Sequence, residues 1–245
     1  MADARILYLV PGPLSRARGV EELERRRSHL QEWAFPGTEV GIAENPEGPG
    51  SIESAYEEYV SIPGSMELAA SAEADGYDAI ILGCFGDPGL DGFREILSIP
   101  IVGPCEASMH IAAQLGHSFG IVTVLDSVVE PLRKLARVAG LDSRVATVLA
   151  CDIPVLELHD DSYGLVLEAC EEAIAAGSDT LVLGCMSMAF LGVAERLSEE
   201  LGVPVLNPAR TALKTAEALV SNGIAHSKKA YPVPPKVAAG TVSLF

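Results

Sequence analysis

Asp75-Gly-Tyr-Asp-Ala-Ile-Ile-Leu-Gly-Cys84 returns 101 residues later as Ala176-Gly-Ser-Asp-Thr-Leu-Val-Leu-Gly-Cys185, with Gly, Asp, Leu, Gly and Cys unchanged. Each copy reads as a glycine that stops a helix, a short apolar run, and Gly-Cys where the run ends. Four to eight apolar residues between turn signals mark a strand buried on both faces, as in parallel sheets. Each Cys is therefore expected at the carboxyl end of a parallel strand, where open α/β sheets bind ligands.

The flanking sequence extends the duplication. Ser98-Ile-Pro-Ile-Val-Gly-Pro104 matches Gly202-Val-Pro-Val-Leu-Asn-Pro208, each about 20 residues beyond its Cys. Around these landmarks, strands are expected at 5–10, 38–43, 99–102, 119–125, 144–149 and 203–206. Helices are expected at 19–33, 54–60, 66–74, 90–97, 106–115, 129–139, 162–176, 194–201 and 209–221. The 19–33 helix is placed on its apolar positions Val20, Leu23, Leu30 and Trp33. Such alternation implies right-handed βαβ units. The fold class is α/β, with two pseudo-symmetric lobes, each a parallel sheet flanked by helices, and an active site in the cleft between them. The first lobe spans 1–105 with 209–226, the second 106–208, and 227–245 forms a C-terminal arm.

Composition narrows the function classes. The 245 residues carry a net charge of −17, which argues against nucleic acid or an anionic membrane as partner. No apolar run approaches the ~20 residues that span a bilayer, and the N-terminus lacks a signal-peptide layout. Five cysteines without a CxxC suit a reduced, cytoplasmic protein. The five histidines are scattered, and His159-Asp160-Asp161 reads as a solvated helix start, so no metal is expected. Dinucleotide, P-loop and Gly-x-Ser-x-Gly motifs are missing.

A lone Cys ending a buried strand is usually packing, and Cys105, Cys151 and Cys170 are read that way. The same placement in both halves favours chemistry for Cys84 and Cys185. Two thiols facing one another across a cleft form an acid/base pair: one as thiolate takes a proton from a bound carbon, the other delivers one to the opposite face. Backbone N–H groups of Phe85-Gly86 and Met186-Ser187 would stabilise the enolate oxygen.

At these residues the chain resembles the aspartate/glutamate racemase superfamily, and within it the hydantoin/allantoin racemase branch. The likeness runs over about residues 40–225. It is carried by Gly50-Ser-Ile-Glu-Ser-Ala-Tyr56, Gly83-Cys-Phe-Gly-Asp-Pro-Gly-Leu-Asp91, Ile99-Pro-Ile-Val-Gly103, Phe119-Gly-Ile-Val-Thr123, Asp152-Ile-Pro-Val-Leu-Glu-Leu158 and Leu183-Gly-Cys-Met-Ser-Met188. The resemblance implies a cofactor-independent racemase or epimerase acting on a small-molecule substrate, with hydantoin or allantoin foremost. Cys84 and Cys185 would be its acid/base thiols, Phe85 and Thr123 pocket residues, and Met186 and Ser187 backbone contacts. An amino-acid racemase, a maleate isomerase and a non-catalytic small-molecule binder are the rival readings.

One segment departs from the branch. Its first strand ends in Asn-Pro-Asn, whereas this chain has Val10-Pro11-Gly12-Pro13. Pro11 is kept, and the substrate's polar group on that side would fall to backbone, Ser15 or Arg16. Finally, the Pro-rich segment 227–245 with Lys228-Lys229 is expected to lie on the acidic surface of a neighbouring subunit, which implies a homo-oligomer.

Overall fold

The computed structural model describes residues 4–240. Its first half runs β1 (Ala4–Val10), α1 (Leu14–Arg18), α2 (Val20–Trp33), β2 (Thr38–Glu44), α3 (Ala55–Ala74), β3 (Ala79–Leu82), α4 (Leu90–Ile96), β4 (Ile101–Val102) and α5 (Pro104–Leu115). The second half runs β5 (Phe119–Thr123), α6 (Val129–Val138), β6 (Val145–Ala150), α7 (Tyr163–Ala175), β7 (Thr180–Leu183), α8 (Met186–Ala189), α9 (Ala194–Leu201), β8 (Val205–Leu206) and α10 (Pro208–Ser221), with a last turn α11 (Pro235–Ala238). The strands form two four-stranded sheets of the same order, β2-β1-β3-β4 and β6-β5-β7-β8, with every pair parallel. Two lobes of one α/β design are thus present, as the duplication implies.

Side-chain alternation divides the core into three. Ile6, Tyr8, Val10 and Ile81 of the first sheet meet Phe119, Ile121 and Val182 of the second in one central cluster. The intervening residues point outward: Leu7, Leu9, Ile80 and Leu82 pack under α3 and α4, and Val122, Leu181 and Leu183 under α7 and α9. Each such side chain, fully buried, contributes about 1.5–3 kcal/mol. The helices that leave the two sheets change places. α5, which follows the first sheet, packs on β5 and β7, while α10, which follows the second, packs on β1, β3 and β4. The lobes are therefore joined through shared apolar packing.

Two expectations are corrected. Residues 54–60 and 66–74 form one helix rather than two, running through Pro63. The proline removes one rung of the hydrogen-bond ladder, the one to the Tyr59 carbonyl, and the helix continues past it with further bonds to the Ser61 carbonyl. Asn45 Nδ2 donates to the Ser61 carbonyl at 3.0 Å, and Ser65 Oγ to the same oxygen at 2.7 Å. The second correction concerns one lysine of the expected arm. Lys228 Nζ donates to the carbonyls of Arg94, Glu95 and Leu97 in its own chain, at 2.7, 3.1 and 2.5 Å. The last carbonyls of α4 carry partial negative charge and attract the ammonium group, so this lysine is not available to a neighbour. Tyr231 lies over the Arg94 guanidinium, and the Ile101 N–H of edge strand β4 donates to His226 Nε2 at 2.9 Å. The remainder of the arm, 241–245, lies outside the described residues.

Candidate active site

The repeated Gly-Cys acquires its physical reason at the strand ends. Gly83 N–H donates to Leu9 O at 2.7 Å, and Gly184 N–H to Val122 O at 2.6 Å, so β3 and β7 pair with β1 and β5 one residue beyond their formal ends. A Cβ at Gly83 would stand 2.6 Å from Leu9 O, and one at Gly184 2.8 Å from Ile121 Cγ2 and 3.0 Å from Val122 O. Only glycine lets the neighbouring strand come this close. The residue after it is the first to clear the sheet, and in both lobes it is Cys. The repeated Asp has a matching task at the other end. Asp78 accepts from Arg5 N–H at the start of β1, and Asp179 from His117 and Ser118 N–H just before β5.

Cys84 and Cys185 line one cavity of about 110 Å³ between the lobes, together with Pro11, Phe85, Gly86, Thr123, Met186 and Ser187. The fold thus brings these eight residues to one cavity, while two further candidates for the substrate's polar group, Ser15 and Arg16, lie outside it. Thr123 is fully buried, and its hydroxyl donates to Gly184 O at 3.0 Å, which ties β5 to the turn before Cys185. Cys105 and Cys170 are buried away from this cavity, and Cys151 is half-buried.

The two thiols sit in different fields. Burial pushes Cys84 up to about 12; the Gly86 N–H pulls it down, while Cys185, Asp87 and Glu58 push it further up. Burial also raises Cys185, but there the Met188 and Ser187 N–H groups, Arg26 and the Ser187 side chain all favour the thiolate. The Gly86 and Ser187 amides, expected to serve the enolate oxygen, also favour the thiolate forms of the sulfurs.

Arg26 is the residue that sequence reading missed. It is 3% exposed, lines the cavity, donates from Nε to Glu22 Oε1 at 2.8 Å and from Nη2 to Ser187 Oγ at 3.0 Å, and lies 5.0 Å from the Phe190 ring centre. Its neighbour Arg25 donates to Phe190 O at 2.6 Å and shares Glu22. A signal was present: Leu23, Arg26, Leu30 and Trp33 fall at helical spacing, which puts a charge on the apolar stripe. Val20, assigned to that stripe, is 68% exposed.

Ser15 and Arg16 do not line the cavity. Ser15 donates its N–H to Glu44 at 2.8 Å and its hydroxyl to the same carboxylate, and Arg16 is exposed. The space that longer side chains would need is filled by backbone. A Cβ at Gly12 would collide with the Pro49 carbonyl, and one at Gly48 with the Pro11 carbonyl. The 45–54 loop is thereby pressed onto the turn after β1, and Pro49, Gly50, Ser51 and Ile52 form part of the cavity wall. Glu53 fastens this loop across the cleft: its carboxylate accepts from Val155 N–H at 2.6 Å, and its carbonyl from Ser127 Oγ at 2.7 Å. Among the described residues no three His, Cys, Asp or Glu side chains are grouped as metal ligands, and no helix is long and apolar enough to cross a membrane.

Comparison with known proteins adds an independent line. Residues 19–216 match the family described as Asp/Glu/hydantoin racemase. A hydantoin racemase from Paenarthrobacter aurescens is 35% identical over 203 residues, covering 81% of this chain and 85% of that protein. The allantoin racemase structure from Klebsiella pneumoniae superposes with a TM-score of 0.87 at 32% identity, covering 95% of this chain and 94% of the other. That of Pseudomonas fluorescens gives 0.86 at 30% identity, covering 94% and 97%.

Proposed function

The chain belongs to the Asp/Glu/hydantoin racemase family, and from that premise we propose that it is a cofactor-independent isomerase in which Cys84 and Cys185 act on opposite faces of one carbon next to a carbonyl. The observation that carries this reading is that both cysteines, each just past the end of a matching central strand, line the same cavity. One sulfur, as thiolate, takes the proton from the carbon, and the bonding pair moves into the carbonyl as an enolate. The other sulfur, as thiol, gives its proton to the opposite face, the carbonyl re-forms, and the carbon is inverted. The first sulfur ends as thiol and the second as thiolate, so the reverse reaction uses the same groups with roles exchanged.

For the substrate we favour a hydantoin bearing an apolar substituent at the inverted carbon. Leu14, Ile52, Val124, Val128, Leu132 and Val155 supply apolar wall around the cysteines. A ureido substituent, as in allantoin, would leave donors and acceptors unmet where it met this wall rather than Ser51, Ser54 or Glu58, at about 1–3 kcal/mol for each buried group. Benzyl- or isobutyl-hydantoin should accordingly exceed allantoin in kcat/KM by about tenfold or more.

The deciding experiment follows racemisation and solvent-deuterium exchange from each enantiomer in Cys84→Ser and Cys185→Ser. Racemisation should fall by about 10²–10⁴ in both, while each variant keeps slow exchange from one enantiomer, of opposite hand. Equal loss of exchange from both enantiomers in both variants would point to a single base.

A further inference from the structure

We infer that Arg26 is a positioning residue: through Ser187 it holds the Cys185 sulfur as the base of the free protein and leaves Cys84 as the acid. The inference rests on the two-thiol reading above and adds to it a direction, carried by geometry. Arg26 belongs to α2 of the first lobe, yet its guanidinium crosses to Ser187, two residues past Cys185, and both line the cavity. A buried guanidinium stays charged and needs a balancing anion. Glu22 is shared between Arg25 and Arg26, so one carboxylate faces two cations and one positive charge remains beside the cavity wall. A thiolate at Cys185 balances it.

The surroundings of the two sulfurs differ in sign. The groups that face Cys185 are Arg26 from α2, Arg18 from α1, Tyr8 from β1, Cys84 across the cleft, and Cys151 after β6. Those that face Cys84 are Asp87, Glu58 from α3, Cys105 from α5, Tyr8 and Cys185. Tyr8 is held protonated by burial and adds no charge of its own. Cations thus stand behind one thiol and carboxyl groups behind the other. The direction is invisible to steady-state rates. Enantiomers have equal free energies, so kcat/KM is the same both ways at every pH, whichever sulfur rests ionised.

The test reads the sulfurs directly, by alkylating the whole protein with iodoacetamide across a pH series and quantifying each cysteine peptide. Restricted access slows alkylation alike at every pH, so the midpoint reports the thiolate. Cys185 should have the lower midpoint. Arg26→Gln should raise it by about one pH unit, a tenfold loss of thiolate at fixed pH, and leave Cys84 where it was. Arg26→Lys should restore most of the shift. Ser187→Ala, which keeps the Arg26–Glu22 pair, should give a smaller rise and carries the test if Arg26→Gln does not fold. Where alkylation is too slow, thiolate ultraviolet absorbance of the protein minus that of Cys185→Ser gives the same midpoint. An earlier midpoint for Cys84, or no selective shift in Arg26→Gln, overturns the inference while opposite-handed exchange in the cysteine variants would still uphold the two-thiol reading. A selective shift without that exchange pattern would sink the reading instead.

Discussion

The two lobes fasten the segment after each cysteine to the helix beyond the fourth strand by opposite means. In the first lobe the turn supplies the side chain: Asp87 accepts from Cys105 and Glu106 N–H at 3.0 and 2.8 Å, capping α5. In the second lobe the helix supplies it. Asn207 caps α10 through Ala209 and Arg210 N–H, both at 3.1 Å, and its Nδ2 reaches back to Ala189 O at 2.8 Å. The tie is the same and the charge is not. An aspartate lies behind Cys84, whereas a neutral amide and a crossing arginine lie behind Cys185. The repeated strand ends keep both thiols on one cavity, while the supporting side chains differ and make their surroundings electrostatically unequal.

The glycines test how alike the strand ends are, and there the largest effect is expected. Gly83→Ala forces a Cβ against a backbone oxygen that cannot move aside, at about 3 kcal/mol, or roughly 6 °C or more in Tm for a chain of this size. At Gly184 the nearest atom is Ile121 Cγ2 at 2.8 Å and the backbone oxygen of Val122 stands farther off, at 3.0 Å, so Gly184→Ala should cost less, about 1–2 kcal/mol. Equal Tm losses would show that the two ends are packed alike after all.

The ties come next. Asp87→Ala and Asn207→Ala each remove a helix cap worth about 0.5–2 kcal/mol, and Asn207→Ala should be the costlier by about 1 kcal/mol because it also frees Ala189 O. The charge difference has its own signature in pH. Burial, opposed by the two amide donors, pushes Asp87 up to about 7. Between pH ~4 and ~7 the unfolded chain has released this proton while the folded one keeps it. Stability relative to Asp87→Asn should therefore fall as pH rises through that window. Denaturant midpoints at pH ~4.5 and ~7.5 check the sign; a rise would mean that the amides outweigh burial.

The smallest effect belongs to the tie between the lobes. Glu53→Gln keeps an acceptor for Val155 N–H but loses its charge, which should lower stability by about 0.5–1 kcal/mol. KM should rise a few-fold with kcat unchanged. A change in kcat instead would place Glu53 nearer the chemistry than its half-buried position on the loop suggests.

Much of this was legible because it is local. The repeated Gly76 and Gly177 take positive φ of 82° and 102° at the ends of helices, Asp78 and Asp179 clamp the neighbouring strand, and Leu82 and Leu183 fill the outer cores. Each identity in the repeat corresponds to a requirement of one strand and its immediate neighbour, so it shows as a pattern along the chain. The continuity of α3 through Pro63 does not show along the chain, and Asn45, which binds the Ser61 carbonyl, belongs to a different segment.

By itself, then, the sequence determined the alternation of strands and helices, the duplication, and the placement of a Cys at each central strand end, since these follow from backbone sterics and short apolar runs. Only the tertiary structure decided what surrounds the thiols. Arg26 and Ser187 are 161 positions apart, and Glu53 and Val155 are 102 apart. Periodicity marks Arg26 as lying on a buried stripe but carries no information about which surface that stripe meets, because the partner is chosen by the packing of one lobe on the other.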